Sequence, residues 1–137
     1  MGVIAYINFK GNCREAVEFY AKAFGAATPN LVTFADLPPD PARPLDEATK
    51  KLVMHTELVV DGSTLMFSDT PPGMSHTQGD NITLMLQGKD AAAIKRWFGA
   101  IKVGGEVVVD LGPESWSKLY GLVHDRFGIG WQFNLVE

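Results

Sequence analysis

"VIAYINFKGNCREAVEFYAKAFG", residues 3–25, returns later in the chain as "NITLMLQGKDAAAIKRWFGAIKVGG", residues 81–105, and that return decides the fold. In the first copy, Val3 to Phe9 is β-branched and aromatic and stops at Lys10-Gly11, which predicts a strand. Asn12 is a good helix N-cap, Glu15 is placed to close a capping box onto it, and Gly25 supplies the stop. Between them Ala16, Phe19, Tyr20, Ala23 and Phe24 fall on one stripe, as on a helix laid against a sheet. Sliding the chain along itself so that Ile7 meets Leu84 also sets Phe9 on Leu86, Gly11 on Gly88, Val17 on Ile94, Tyr20 on Trp97 and Phe24 on Ile101. Strand, turn and helix recur together, as in a duplicated unit.

Three further strands are expected after each helix. "LVTFA" (31–35) reads as a short one, and residues 36–50, with four prolines, as a long exposed loop. "LVMHTELVV" and "TLMFS" flank Asp61-Gly62-Ser63, a hairpin with glycine where positive φ is needed. In the second copy "NITLMLQ" is a strand, Asp90 caps a helix with Ile94, Trp97, Phe98 and Ile101 on one stripe, and Gly104-Gly105 ends it. "EVVVDL", "LYGLVHD" and "WQFNLV" complete the set. The expected fold is therefore α+β: a single domain, 1–137, made of two βαβββ modules, about 1–69 and about 80–137. Side by side they would curl into a cupped, eight-stranded mixed sheet with helices on the outer face. The concave face of such a cup is a place for a small ligand.

Composition narrows the partners. With 137 residues, 46% hydrophobic and 20% charged, the chain can bury a real core. Twelve basic residues against sixteen acidic give a formal charge of −4 without blocks of one sign, which argues against a nucleic-acid partner. No apolar run approaches the roughly 20 residues that cross a bilayer, and the start lacks the order of a signal peptide, so no membrane is expected and a cytoplasmic location is. Gly2 suggests no myristoylation, because Tyr6 stands where Ser or Thr is wanted. The single Cys13 makes no internal disulfide and, with three histidines, no zinc-finger spacing.

The stretches "YINFKGNCREAVEFYAKAFGA", "MHTELVVDGSTLMFSD", "GDNITLML" and "WSKLYGLVHDRFGIGWQFN" cover most of the chain outside the proline loop. They resemble the PhnB-like branch of the vicinal oxygen chelate superfamily, which includes glyoxalase I, the extradiol dioxygenases and the bleomycin and fosfomycin resistance proteins. The resemblance implies paired βαβββ modules and a homodimer, and leaves activity open. It also implies metal-ligand positions on the first and last strands of each module, which fall here at Ala5, near Met66 or Ser68, at Asn81 and at Asn134. None is a good ligand: Ala5 has no donor, and amides are weak substitutes for imidazole or carboxylate. PhnB-like chains have been labelled demethylubiquinone methyltransferases, but Lys10-Gly11-Asn12 and Gly88-Lys89-Asp90 lack the glycine-rich turn of a nucleotide-type cofactor site.

Strand alternation then selects pocket candidates. In "NITLMLQ", Ile82, Leu84 and Leu86 face the helix and leave Asn81, Thr83, Met85 and Gln87 opposite; in "WQFNLV", Trp131, Phe133 and Leu135 leave Gln132 and Asn134. Ligand-binding candidates are Asn81, Thr83, Met66, Ser68, Trp116, Tyr120, Gln132 and Asn134. They describe a small, partly apolar ligand bound without a metal or other cofactor. The alternative is a metal-dependent lyase, isomerase or dioxygenase whose divalent ion is held by His55 and Glu57, two apart on a strand. Those two residues read first, however, as an outward ion pair or a dimer contact. His76 reads as solvated, His124 and Asp125 face oppositely, and Cys13 is either a helix-start nucleophile or packing. A scaffold whose cup is filled by its own side chains also stays open.

Overall fold

The computed structural model describes all 137 residues, Met1–Glu137. Two compact units divide between Thr77 and Gln78, each built on a four-stranded mixed sheet. The first runs β1 (Tyr6–Phe9), α1 (Cys13–Phe24), β2 (Val32–Thr33), a 3-10 turn (Phe34–Asp36), α2 (Glu47–Lys51), β3 (Val53–Val60) and β4 (Ser63–Asp69), with strand order β1-β4-β3-β2. The second runs β5 (Thr83–Gly88), α3 (Ala91–Ile101), β6 (Glu106–Glu114), β7 (Ser117–His124) and β8 (Gly130–Leu135), with order β5-β8-β7-β6. In both, the first strand lies parallel to the last and the remaining pairs are antiparallel. The duplicated βαβββ unit is thus present twice, in an α+β fold.

Each helix packs one face on its own sheet, although Phe19, Ala23, Phe24 and Trp97 of the expected stripes are only half-buried. Ala16, Val17 and Tyr20 of α1 are inaccessible, and the Tyr20 ring stacks 5.9 Å from Phe67 of β4. Ile94, Phe98 and Ile101 of α3 are buried with Trp131 and Phe133, and Phe98 meets Phe133 edge-on at 5.6 Å. A Cβ on Gly121 of β7 would come within 2.7 Å of Phe98, so only glycine lets that strand pass so close.

Several local expectations give way to tertiary contacts. The first strand begins at Tyr6 rather than Val3. Asn12 makes no side-chain cap; instead Asp69, at the end of β4, accepts the Gly11 amide at 2.9 Å and the Cys13 amide at 3.0 Å through Oδ1. Its Oδ2 accepts the Val53 amide at 2.9 Å. "LVTFA" pairs only at Val32–Thr33, because Asp36 accepts the Thr33 amide and winds the chain into the 3-10 turn. The proline loop is not structureless throughout: Asp46 accepts the Thr49 amide at 2.7 Å and starts α2. The Asp61-Gly62 hairpin does form, with both residues at positive φ (48° and 83°), as a two-residue primed turn requires.

Asp69→Ala would strip acceptors from three backbone amides at once. We expect unfolding stability to fall by about 3 kcal/mol or more, since each stranded buried donor costs about 1–3 kcal/mol. Asp69→Asn, which keeps one carbonyl oxygen, should lose less. Urea denaturation of the two variants decides this, and an alanine variant within about 1 kcal/mol of the parent would disprove the role.

Candidate functional site

A sheet covered by a helix on one side has its alternate residues on the other. In the second unit the register pairs Met85 with Gln132, Gln87 with Asn134, Tyr120 with Asn134 and Leu122 with Gln132, so all of these share the face opposite α3. Their polar groups form a row. The Tyr120 hydroxyl donates to Gln132 Oε1 at 2.6 Å, and Gln132 Nε2 donates to Thr83 Oγ1 at 2.7 Å. Beside it, Asn134 Nδ2 donates to Gln87 Oε1 at 3.3 Å. Asn134 Oδ1 is buried without any hydrogen-bond partner, the only side-chain atom in that position. Trp116, in the β6–β7 turn and 63% exposed, sets its ring against Tyr120 with centroids 5.2 Å apart. The result is a neutral hydrogen-bonding strip bordered by aromatic rings.

The helix-free face of the first sheet carries an imidazole and a carboxylate instead. The Tyr6 hydroxyl is hydrogen-bonded to His55 Nδ1 at 3.0 Å, and His55 Nε2 lies 3.6 Å from Glu57 Oε2. Ser68 donates to Asn8 Oδ1 at 2.9 Å, and the His76 ring reaches the Asn8 carbonyl at 2.9 Å. Met66, opposite both Tyr6 and Glu57 in register, completes this face.

The expected candidates are therefore sorted by sheet. Thr83, Tyr120, Gln132 and Asn134 lie together with Trp116, whereas Met66 and Ser68 belong to the first sheet. Asn81 is an exposed bend residue, because β5 begins only at Thr83. Ala5 precedes β1 and contributes a backbone carbonyl to the Met66 amide. Gln87 is a member of the row that the candidate set lacked, although the alternation of "NITLMLQ" pointed to it. Tyr6 was missed because nothing local signals a partner 49 residues away. His55 and Glu57 do share a face, but no group of three or more His, Cys, Asp or Glu side chains is arranged to hold a metal ion.

The run "HDRFGIGW" (124–131) is architecture. Buried Asp125 accepts the Phe127 and Ile129 amides at 2.8 and 3.0 Å and the Trp131 indole N–H at 2.8 Å, while Gly128 turns the chain at φ 83°. Cys13 is not a poised nucleophile. It is wholly buried, and burial, reinforced by the Asp69 carboxylate and only partly opposed by Arg14, pushes its thiol from 9.0 up to about 12. No helix is long and apolar enough to cross a membrane.

The pattern that defines the 3-demethylubiquinone-9 3-methyltransferase family, the PhnB-like group, matches residues 1–134. The chain belongs to that family. The solved structure of protein PA1353 from Pseudomonas aeruginosa is 33% identical, with a TM-score of 0.83 over 98% of this chain and 97% of that one. A PhnB protein from Bacillus cereus is 21% identical, with a TM-score of 0.75 over 99% and 100% of the two chains. A glyoxylase/bleomycin resistance protein/dioxygenase domain from Frankia sp. EAN1pec shares the fold at 10% identity, with a TM-score of 0.64 over 100% and 98%. The expected glyoxalase/bleomycin-resistance-like architecture of this PhnB-like chain is thereby established. The family's methyltransferase description finds no nucleotide-type site at the strand-to-helix turns: Asp69 takes the Gly11 and Cys13 amides, and Asp90 takes that of Ala93.

The Cys13 environment makes a test. A thiol moved from 9.0 to about 12 has a roughly thousandfold smaller thiolate fraction near neutral pH, so iodoacetamide should label the folded chain at least that much more slowly than the urea-unfolded chain. The unfolded thiol ionises first, so between pH 9 and about 12 the folded state holds the extra proton and stability falls as pH rises. Cys13→Ala should flatten that part of the alkaline stability curve. Equal labelling of folded and unfolded chain would refute the assignment.

Proposed function

We propose that this PhnB-like protein binds a small, partly apolar molecule on the amide-lined face of its second sheet, and that no metal ion takes part. The observation that carries the reading is the Tyr120–Gln132–Thr83 chain beside the buried, unpartnered Asn134 Oδ1. An unpaired buried acceptor costs about 1–3 kcal/mol, and a ligand donor placed there would recover it. Trp116 and Tyr120, set edge to face with their ring planes at 73°, supply an apolar corner for the ligand's hydrocarbon part. Neutral amides orient a ligand by hydrogen bonds, which suits binding better than acid-base chemistry. From the family resemblance the reading also carries a homodimeric, cytoplasmic protein.

A titration of intrinsic fluorescence with neutral aromatic amides and phenols tests this. Saturable quenching is expected, lost in Trp116→Phe and weakened roughly tenfold in Gln132→Leu, the worth of about one good hydrogen bond. No saturable quenching by any compound, or quenching that survives both substitutions unchanged, would end the proposal.

A second reading rests on His55. Its Nε2 and the Glu57 carboxylate face one another across 3.6 Å, with the Tyr6 hydroxyl orienting the ring through Nδ1, an arrangement that suits two ligands of a divalent ion in a glyoxalase-type enzyme. Under this reading zinc, nickel or manganese raises the melting temperature of the parent and not of His55→Ala. A parent indifferent to all three ions would exclude it.

A further inference from the structure

A hollow in the first unit is walled by the 3-10 turn, the proline loop and α2. It has a volume of about 720 Å³, within the ~300–1,000 Å³ typical of small-molecule sites. Phe34, Leu37, Pro38, Pro41, Pro44 and Leu45 give it apolar walls, and its charged lining is Asp40, Arg43 and Lys50. Those three charges are not equally available. Lys50 is paired with Glu47 at 3.0 Å, and Asp40 Oδ1 accepts the Ala42 amide of its own turn at 3.0 Å. The Arg43 guanidinium makes no ion pair or hydrogen bond, while its backbone is fixed by an amide bond to the Asp40 carbonyl at 3.0 Å.

We propose that this hollow is a second binding site, selective for a small apolar anion: a carboxylate on a compact aromatic or branched hydrocarbon body. The anion would pair with Arg43, whose planar fork takes a carboxylate through two parallel hydrogen bonds. The body would cover Leu37 and Leu45, which stand 40% and 38% exposed, and so remove apolar surface from water. The walls are organised in advance. Prolines fix φ along the loop, the Phe34 amide is tied to the Leu52 carbonyl at 3.1 Å, and Asp46 anchors the start of α2. Little ordering entropy therefore remains to oppose binding. The site is independent of the amide-lined face and stands or falls separately from it.

Amide-resolved NMR titration with 1-naphthoate and with its neutral counterpart 1-naphthalenemethanol tests the proposal. Naphthoate should give saturable shifts in the amides of residues 34–50 and bind roughly tenfold or more tightly than the alcohol. Arg43→Gln should bring the two probes to similar affinity, and Leu45→Asp should weaken both. The melting temperature of each variant, both at exposed positions, checks that the fold is retained. The proposal is overturned if the alcohol binds as well as the acid, if Arg43→Gln leaves the preference intact, or if naphthoate shifts no amide in 34–50. Shifts confined to residues 83–134 would overturn it while supporting the separate site on the second sheet.

Discussion

A carboxylate removed from water has to be surrounded by donors, and this chain meets that constraint twice, once in each unit. Asp69 and Asp125 are 3% and 4% exposed, and the donors around them are chiefly backbone amides. Asp69 joins the end of β4 to the starts of α1 and β3, so one side chain fixes where the helix enters and how the sheet beneath it is aligned. With that alignment Phe67 must face the helix, and Met66 and Ser68 must face away. Asp125 acts similarly by holding the Trp131 indole. Once Trp131 is pinned on the α3 side, the strand period turns Gln132 to the opposite side, where the amide row forms. The chemistry of the open faces thus depends on two groups that never reach them.

Much of this was legible in the sequence. The Ile7-to-Leu84 superposition, the Asp61-Gly62 turn, the Asp90 cap and the split of Trp131 and Phe133 from Gln132 and Asn134 all follow from local period and turn chemistry. What escaped has a common cause: a distant residue won over a local preference. Asn12 has the right chemistry for a cap, yet Asp69, 56 residues from Cys13, supplies it. "LVTFA" has strand propensity, but Asp36 diverts it after two residues. The α2 cap was readable, with Asp46 before Glu47 and Thr49, and four nearby prolines obscured it. Alternation placed Thr83, Gln132 and Asn134 on the helix-free face, but it counted Asn81 and Ile82 into a strand that begins only at Thr83, and it did not reveal that Tyr6 would meet His55.

The amide row has a direction. As assigned, Tyr120 donates to Gln132 and Gln132 to Thr83, which leaves the Thr83 hydroxyl proton available. Rotating the Gln132 amide by half a turn reverses both bonds and leaves the Tyr120 proton available instead. In either state one hydroxyl at an end of the chain can donate outward, and the amide between them relays the choice. Asn134 differs, because its single partner, Gln87, engages only one side of its amide, and the other atom stays buried and unsatisfied. The face therefore offers one adaptable hydroxyl donor, and the row itself holds no charged side chain.

The two copies diverge most between their second and third strands. In the second unit β6 passes to β7 through the two-residue turn Ser115-Trp116, whereas in the first the 3-10 turn, the proline loop and α2 all intervene between β2 and β3. Connections on the surface change more freely than the elements they join, since their backbone is solvated and little packing depends on them. The same duplicated sheet therefore gained different chemistry in each copy. The short turn places Trp116 over a neutral face, while the long insertion surrounds a hollow with prolines and one unpaired guanidinium beside a sheet bearing His55 and Glu57. The duplicated scaffold is kept, and the length of a single connection gives the two halves different surface chemistry.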